Sequence, residues 1–229
     1  MQLLYSTSKA LDKWLKAELP TLEGTQKGRN TIVSDANTFS WQLHLIDNSY
    51  RSSHKTVIAT EANSRFTCFL PVYAPLSLAE LNQQLSMQWQ QLLVEMIRAN
   101  QLLPNSDAVL LLSQLDELQF DIRWAKNTDL SINGHITDAA LWVTQTLEEQ
   151  RLDAMPLALA DDLAIYLNGQ VKRIKQRKEK FIPLDRLFEY CQSITQHDDG
   201  IAPEIKSNDA LPANVLKFNT RKPDGVVSA

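Results

Sequence analysis

Cysteine and glycine are scarce in this chain, and no apolar run is long. Two cysteines, Cys68 and Cys191, cannot build a disulfide framework or a zinc knuckle, and each reads as a small buried residue. Six glycines leave no phosphate-cradling loop, and no nucleophile elbow occurs. No run approaches the ~20 residues of a membrane span, and MQLLYSTSKALDKW lacks a signal peptide's apolar stretch, so the expectation is a cytoplasmic protein without membrane contact. Neither charge sign dominates: a formal net charge of -4 and a pI near 5.6 give no global attraction to nucleic acid. His44, His54, His135 and His197 are scattered without paired spacing, so no metal site and no cofactor is expected. HDD at His197 to Asp199 reads as a solvated acidic turn. The pairs Glu148-Glu149 and Asp161-Asp162 are adjacent on helices and read as surface.

What is present is a strongly marked helix. In PLSLAELNQQLSMQWQQLLVEMIRAN, residues 75–100, Leu78, Leu81, Leu85, Trp89, Leu92, Leu93, Met96 and Ile97 recur at steps of three and four, one face wide enough to press on a sheet. Ser77 and Glu80 form a capping box, Leu76 and Leu81 stand where a hydrophobic staple closes, and Pro75 discourages an earlier turn. The helix should begin at Leu78 and lie across a small antiparallel sheet.

The strands come from three places. Gln2 to Tyr5 reads as a short strand before a helix that buries Leu11, Trp14, Leu15 and Leu19 and ends by Pro20. Leu22 to Asn30, with two glycines, reads as a mobile loop. Ser40 to Ile46, Lys55 to Thr60 and Arg65 to Val72 read as an antiparallel meander, with Trp41, Leu43 and Leu45 alternating against Gln42 and His44. Leu118 to Trp124 alternates as a half-buried strand, whereas Ala108 to Leu115 is too short to assign.

A second helix start lies at Thr137. Asn133-Gly134 reads as a tight turn before it, Ile136 and Leu141 as its staple, and the helix runs to about Arg151. Leu157 to Leu167 favours a helix ending or kinking near Gly169, with an Asn168-Gly169 hairpin as the alternative. A short amphipathic helix follows from Phe181 to Gln192. All five tryptophans fall in the first 142 residues, so the main core belongs there. The expected class is α+β: a core domain over 1–152, a helical C-terminal extension with a basic run over 153–192, and a mobile tail over 193–229.

Several of these segments, taken in order, carry a resemblance. The opening strand with Thr7-Ser8-Lys9-Ala10-Leu11, the strand WQLHLID, the pair through KTVIATEANSRFTCFL, the long helix and finally KNTDLSINGHITDA resemble an uncharacterised bacterial family classified only as a domain of unknown function. Ser131, Ile132 and Gly134 match the family's last segment, but Leu130 stands where arginine is expected. The resemblance implies a fold and supplies no chemistry.

Two candidate sites remain, and no catalytic residue is named. Lys126, Asn127, Thr128, Ser131 and Asn133 precede a helix N-terminus and could hold a small anion through backbone N–H groups. The basic run of Lys172, Arg173, Lys175, Arg177, Lys178 and Lys180 could meet nucleic-acid phosphates or an acidic partner, or simply be a solvated helix face. The leading expectation is therefore a non-enzymatic binding module for a macromolecular partner, a protein before a nucleic acid. The alternatives are an enzyme for a small anionic or nucleotide-like substrate at the 126–137 turn, and a nucleic-acid-binding regulator using the 172–180 run.

Overall fold

Strand β1 (Gln2–Thr7) runs parallel to both of its neighbours, β2 (Thr38–Asp47) and β5 (Asp121–Lys126). From β2 the chain continues as an antiparallel meander through β3 (Lys55–Glu61) and β4 (Thr67–Val72), giving the order β4-β3-β2-β1-β5. The α+β class holds, but the sheet is mixed where a wholly antiparallel one was expected. Alternation fixes which side chains share a face and leaves strand direction open; direction here is set by the crossovers that return the chain from β1 to β2 and from β4 to β5. The computed structural model describes residues 1–49, 52–174 and 179–196.

The long helix α2 (Leu78–Ala99) begins at the expected residue. Ser77 Oγ accepts from Glu80 N at 3.2 Å and the Glu80 carboxylate accepts from Ser77 N at 2.8 Å, which closes the capping box. Leu81, Leu85, Trp89, Leu92, Leu93, Met96 and Ile97 are all buried. Trp89 meets Phe39 edge-on with ring centroids 5.5 Å apart and lies 6.0 Å from Trp41, so the helix is seated on the β2 face that carries Phe39 and Trp41. Truncating such an aromatic costs ~3–5 kcal/mol. Among the described residues the indole N–H groups of Trp41 and Trp89 find no acceptor, which offsets part of that gain.

The undecided stretch is helix α3 (Asn105–Glu117), with Ala108, Leu111 and Leu115 inward. β5 starts later than the alternation suggests and its first three side chains are exposed, with Ile122 42% exposed. Helix α1 (Lys9–Leu15) is shorter than expected, because Lys16 turns left-handed at φ 54°, and Leu19 is buried from the loop beyond it. Helix α4 (Leu130–Gln150) starts at Leu130, one full turn before Asn133-Gly134. The expected tight turn is absent because Asp129 is already the cap, accepting from Ser131 N at 2.7 Å. α4 contacts β2 and β3, and its cap meets Gln42, which alternates to the side opposite Trp41.

Helix α5 (Leu157–Asn168) stops at Gly169, so the helical reading of that stretch stands. The described ends of the basic run are strand and not a helix face: Lys172–Ile174 (β6) pairs antiparallel with Glu179–Phe181 (β7), because Gly169 ends α5 before the run begins. Lys175, Arg177 and Lys178 lie outside the described residues. Helix α6 (Pro183–Gln196) extends past Gln192, and the rest of the tail also lies outside them. One hydrophobic cluster holds Phe39, Trp89, Ala164, Leu187 and Cys191 together, so the core is continuous across residue 152.

The two sheet edges are treated differently. α5 packs on β4, and Asn168, 1% exposed, accepts from Thr67 N and donates to Thr67 O, both at 2.8 Å, as a neighbouring strand would. Asn168→Ala leaves both backbone groups without that partner; the expected loss is ~1–3 kcal/mol with a greater tendency to aggregate, read by urea unfolding and light scattering. An unchanged midpoint would show that the edge needs no such plug.

Candidate functional site

The segment after β5 spends most of its polar groups inside the chain. Lys126 Nζ pairs with Asp12 Oδ2 at 3.1 Å, and Lys126 N donates to Pro20 O at 2.7 Å. Asn127, 1% exposed, accepts from Asn30 N and donates to Asn30 O, both at 2.7 Å, while Thr128 N donates to Gly28 O. Asp129 Oδ2 accepts from Ile32 N at 2.8 Å. The loop read as mobile is thus laced to this segment along its length. Asn30 ties it further, bonding Leu22 O and Gln26 from its side chain, and a Cβ on Gly24 would run into that amide. Gln42 secures the other side: its Oε1 accepts from Ser6 Oγ and Asp129 N, and its Nε2 donates to Ser6 O and Asn127 O.

Of the five residues named for this segment, Ser131 lines the cleft described next and the other four do not. The cleft, about 690 Å³, lies between residues 31–35, the β3–β4 turn, the start of α4, Glu179 and α6. Its floor is Glu61, 1% exposed, whose carboxylate accepts from Ser34 Oγ, from Asn63 N at 3.0 Å and from Ser64 N at 2.6 Å. Those donors satisfy a buried charge that would otherwise be costly. Arg65 forms one wall. Its backbone is left-handed at φ 61°, a conformation that glycine and asparagine tolerate and arginine does not favour, and its Nη2 donates to Ser131 Oγ at 3.2 Å. Arg186 forms the opposite wall, ion-paired with Glu179 and stacked 3.8 Å over the Phe181 ring. Tyr190 closes the end, its hydroxyl 3.0 Å from Asp35 O and 3.2 Å from Thr38 O.

The charges here are mixed. Asp35, Glu61, Glu179 and Glu189 face Arg65 and Arg186. Burial, reinforced by Glu61, keeps the Tyr190 phenol and the Cys191 thiol protonated well above their ordinary values. Among the described residues no group of three or more His, Cys, Asp or Glu is placed to hold a metal ion. The arrangement therefore offers fixed hydrogen-bonding and ionic partners in a concave setting.

The first part of the basic run approaches this region. Lys172 and Arg65 both act on His135, one turn along α4 from Ser131, and with burial as the larger cause they bring its pKa down to about 4. Arg173 and Lys180 are exposed. Asn133 is half-buried in α4, its carbonyl accepting from Thr137 Oγ1. Sequence reasoning missed Glu61, Arg65, Arg186 and Tyr190. An arginine at the end of the Glu61-Ala62-Asn63-Ser64 turn, where glycine or asparagine is usual, was the available signal; nothing local announces the approach of α6.

No protein-family model, curated protein or solved structure matches the chain, so the family resemblance rests on the quoted segments alone.

Gln42→Leu removes the partners of four buried polar groups on two segments, β1 and the β5–α4 turn, and a loss of more than ~3 kcal/mol is expected in urea unfolding; a near-neutral variant would remove Gln42 as the hub. His135 gives a pH signature. The unfolded chain takes up a proton near pH 6.5 and the folded state only near about 4, so stability should fall as pH drops through that window. His135→Gln should flatten the decline, and parallel wild-type and variant curves there would refute it.

Proposed function

We propose that this chain is a binding protein for a macromolecular partner, and that a short polar segment of a protein partner docks in the cleft between the β3–β4 turn and α6. The observation that carries this reading is Arg65: a guanidinium held by Ser131 on a left-handed backbone is a group whose position is costly to adopt and whose side chain is set beforehand. Mixed charge favours a peptide with both signs over nucleic acid, since phosphates would meet Asp35, Glu179 and Glu189. The nearby thiol and phenol, held protonated, suit recognition better than nucleophilic chemistry. Both cysteines are free, and no helix of the described residues is long and apolar enough to cross a membrane; the proposal places the protein in the cytoplasm.

A second reading has one observation in its favour. Ser131, from the turn named as an anion site, stands on the cleft wall beside Arg65, a pairing that suits the carboxylate or phosphate of a small substrate.

The readings separate in two experiments. Arg65→Gly relieves the left-handed strain while deleting the guanidinium, so folding stability should stay within about 1 kcal/mol of wild type. With Arg186→Ala beside it, a partner retained by wild type should be lost at least about tenfold, with cross-links falling on 31–35 and α6. Retention indifferent to both substitutions would end the docking proposal. A thermal-shift response to phosphorylated metabolites or nucleotides, abolished by Arg65→Gly, would instead establish the small-ligand reading.

A further inference from the structure

The edge of the sheet opposite Asn168 has no such plug. Asp121 N and Asn127 N donate toward β1, to Met1 O at 2.9 Å and Thr7 O at 3.0 Å, whereas Lys126 pairs outward with Pro20 O and Leu22 N. Backbone groups of successive strand residues point to alternate sides, so Ile122 and Trp124 direct their N–H and C=O groups outward with Lys126. Among the described residues nothing bonds to them there. The side chains agree: Asp121, Ile122 and Arg123 are exposed, whereas β1 to β4 of the same sheet are largely buried.

An edge of this kind accepts another strand. We infer that β5 pairs with β5 of a second copy, antiparallel, about a two-fold axis at Ile122. Charge selects this register. With Ile122 opposite its own copy, Asp121 of each chain stands directly across from Arg123 of the other, two opposite-charge pairs on one face of the joined sheet. On the other face the exposed Ile122 side chains meet, and Trp124 lies across from the half-buried Phe120. Ile122 is also a residue whose backbone points outward, so in this register it exchanges both hydrogen bonds with its copy. Registers centred on Arg123 or Trp124 lose this match: the first sets Arg123 against its own copy and Asp121 against Ala125, and the second sets Arg123 against Ala125. The two-fold operator therefore places two copies of the five-stranded sheet edge to edge in one continuous sheet.

A charge swap tests the register. In sedimentation velocity over a concentration series the wild type should show a monomer–dimer equilibrium. Asp121→Arg or Arg123→Asp alone places like charges opposite each other twice per interface and should weaken the dimer at least about tenfold. The double variant D121R/R123D restores complementarity and should recover it. Both side chains are exposed, and thermal midpoints confirm folding; amide hydrogen exchange on the wild type gives a check without variants, since protection at Ile122 and Trp124 should rise with protein concentration. A wild type that stays monomeric at its highest soluble concentration overturns the inference and leaves the edge to a strand of some other protein. A dimer indifferent to the single swaps, or a double variant that stays weak, overturns it equally.

Discussion

Gln42 carries the constraint on which the rest of the molecule depends. A side-chain amide has two donors and two good acceptor positions, and here all are used inside the protein: toward β1 through Ser6, and toward the β5–α4 turn through Asn127 and Asp129. A buried amide so engaged tolerates very little displacement, because each lost bond leaves a desolvated group behind. It thereby sets where the chain leaves β5. Asp129, held by it, caps α4 and takes Ile32 N; Asn127, held by it, clamps Asn30. The walls of the cleft at residues 31–35 and at Ser131 inherit their positions from this one polar junction.

The apolar core acts differently. The face of α2 and the Phe39–Trp41–Trp89 group supply the driving force for burial, yet that force is non-directional and would accept several nearby arrangements. The buried amides of Gln42, Asn127 and Asn168 choose among them, each by bonding backbone groups of a distant segment. α6 is brought in by both kinds of contact: Leu187 and Cys191 join the core, while Tyr190 reaches the Asp35 and Thr38 carbonyls.

What the sequence disclosed divides along the same line. The start of α2 was legible to the residue because a capping box and a 3.6-residue stripe are local, and the meander was legible because its alternation and short turns are local. The parallel placement of β1 was hidden, since period-two alternation is the same in either direction. Asn133-Gly134 misled: the pair has turn chemistry, but Asp129 outcompeted it by capping four residues earlier. Gln42 looked like the wet side of a strand and is 1% exposed, because α4 covers that face. Ser131 was named and does line the cleft, whereas Glu61, Arg65, Arg186 and Tyr190 meet there only through tertiary packing that no spacing in the chain encodes.

The parallel pairing of β1 and β5 also sets a timetable. With Gln2 opposite Asp121, β1 waits for a strand that leaves the ribosome after α2 and α3, while β2, β3 and β4 can zip together as soon as their own residues emerge. Until β5 emerges the nascent chain thus holds a finished meander beside a β1 ribbon satisfied on one side at most. That ribbon, buried in the native protein, is where a stalled or truncated chain would expose its stickiest backbone to chaperones.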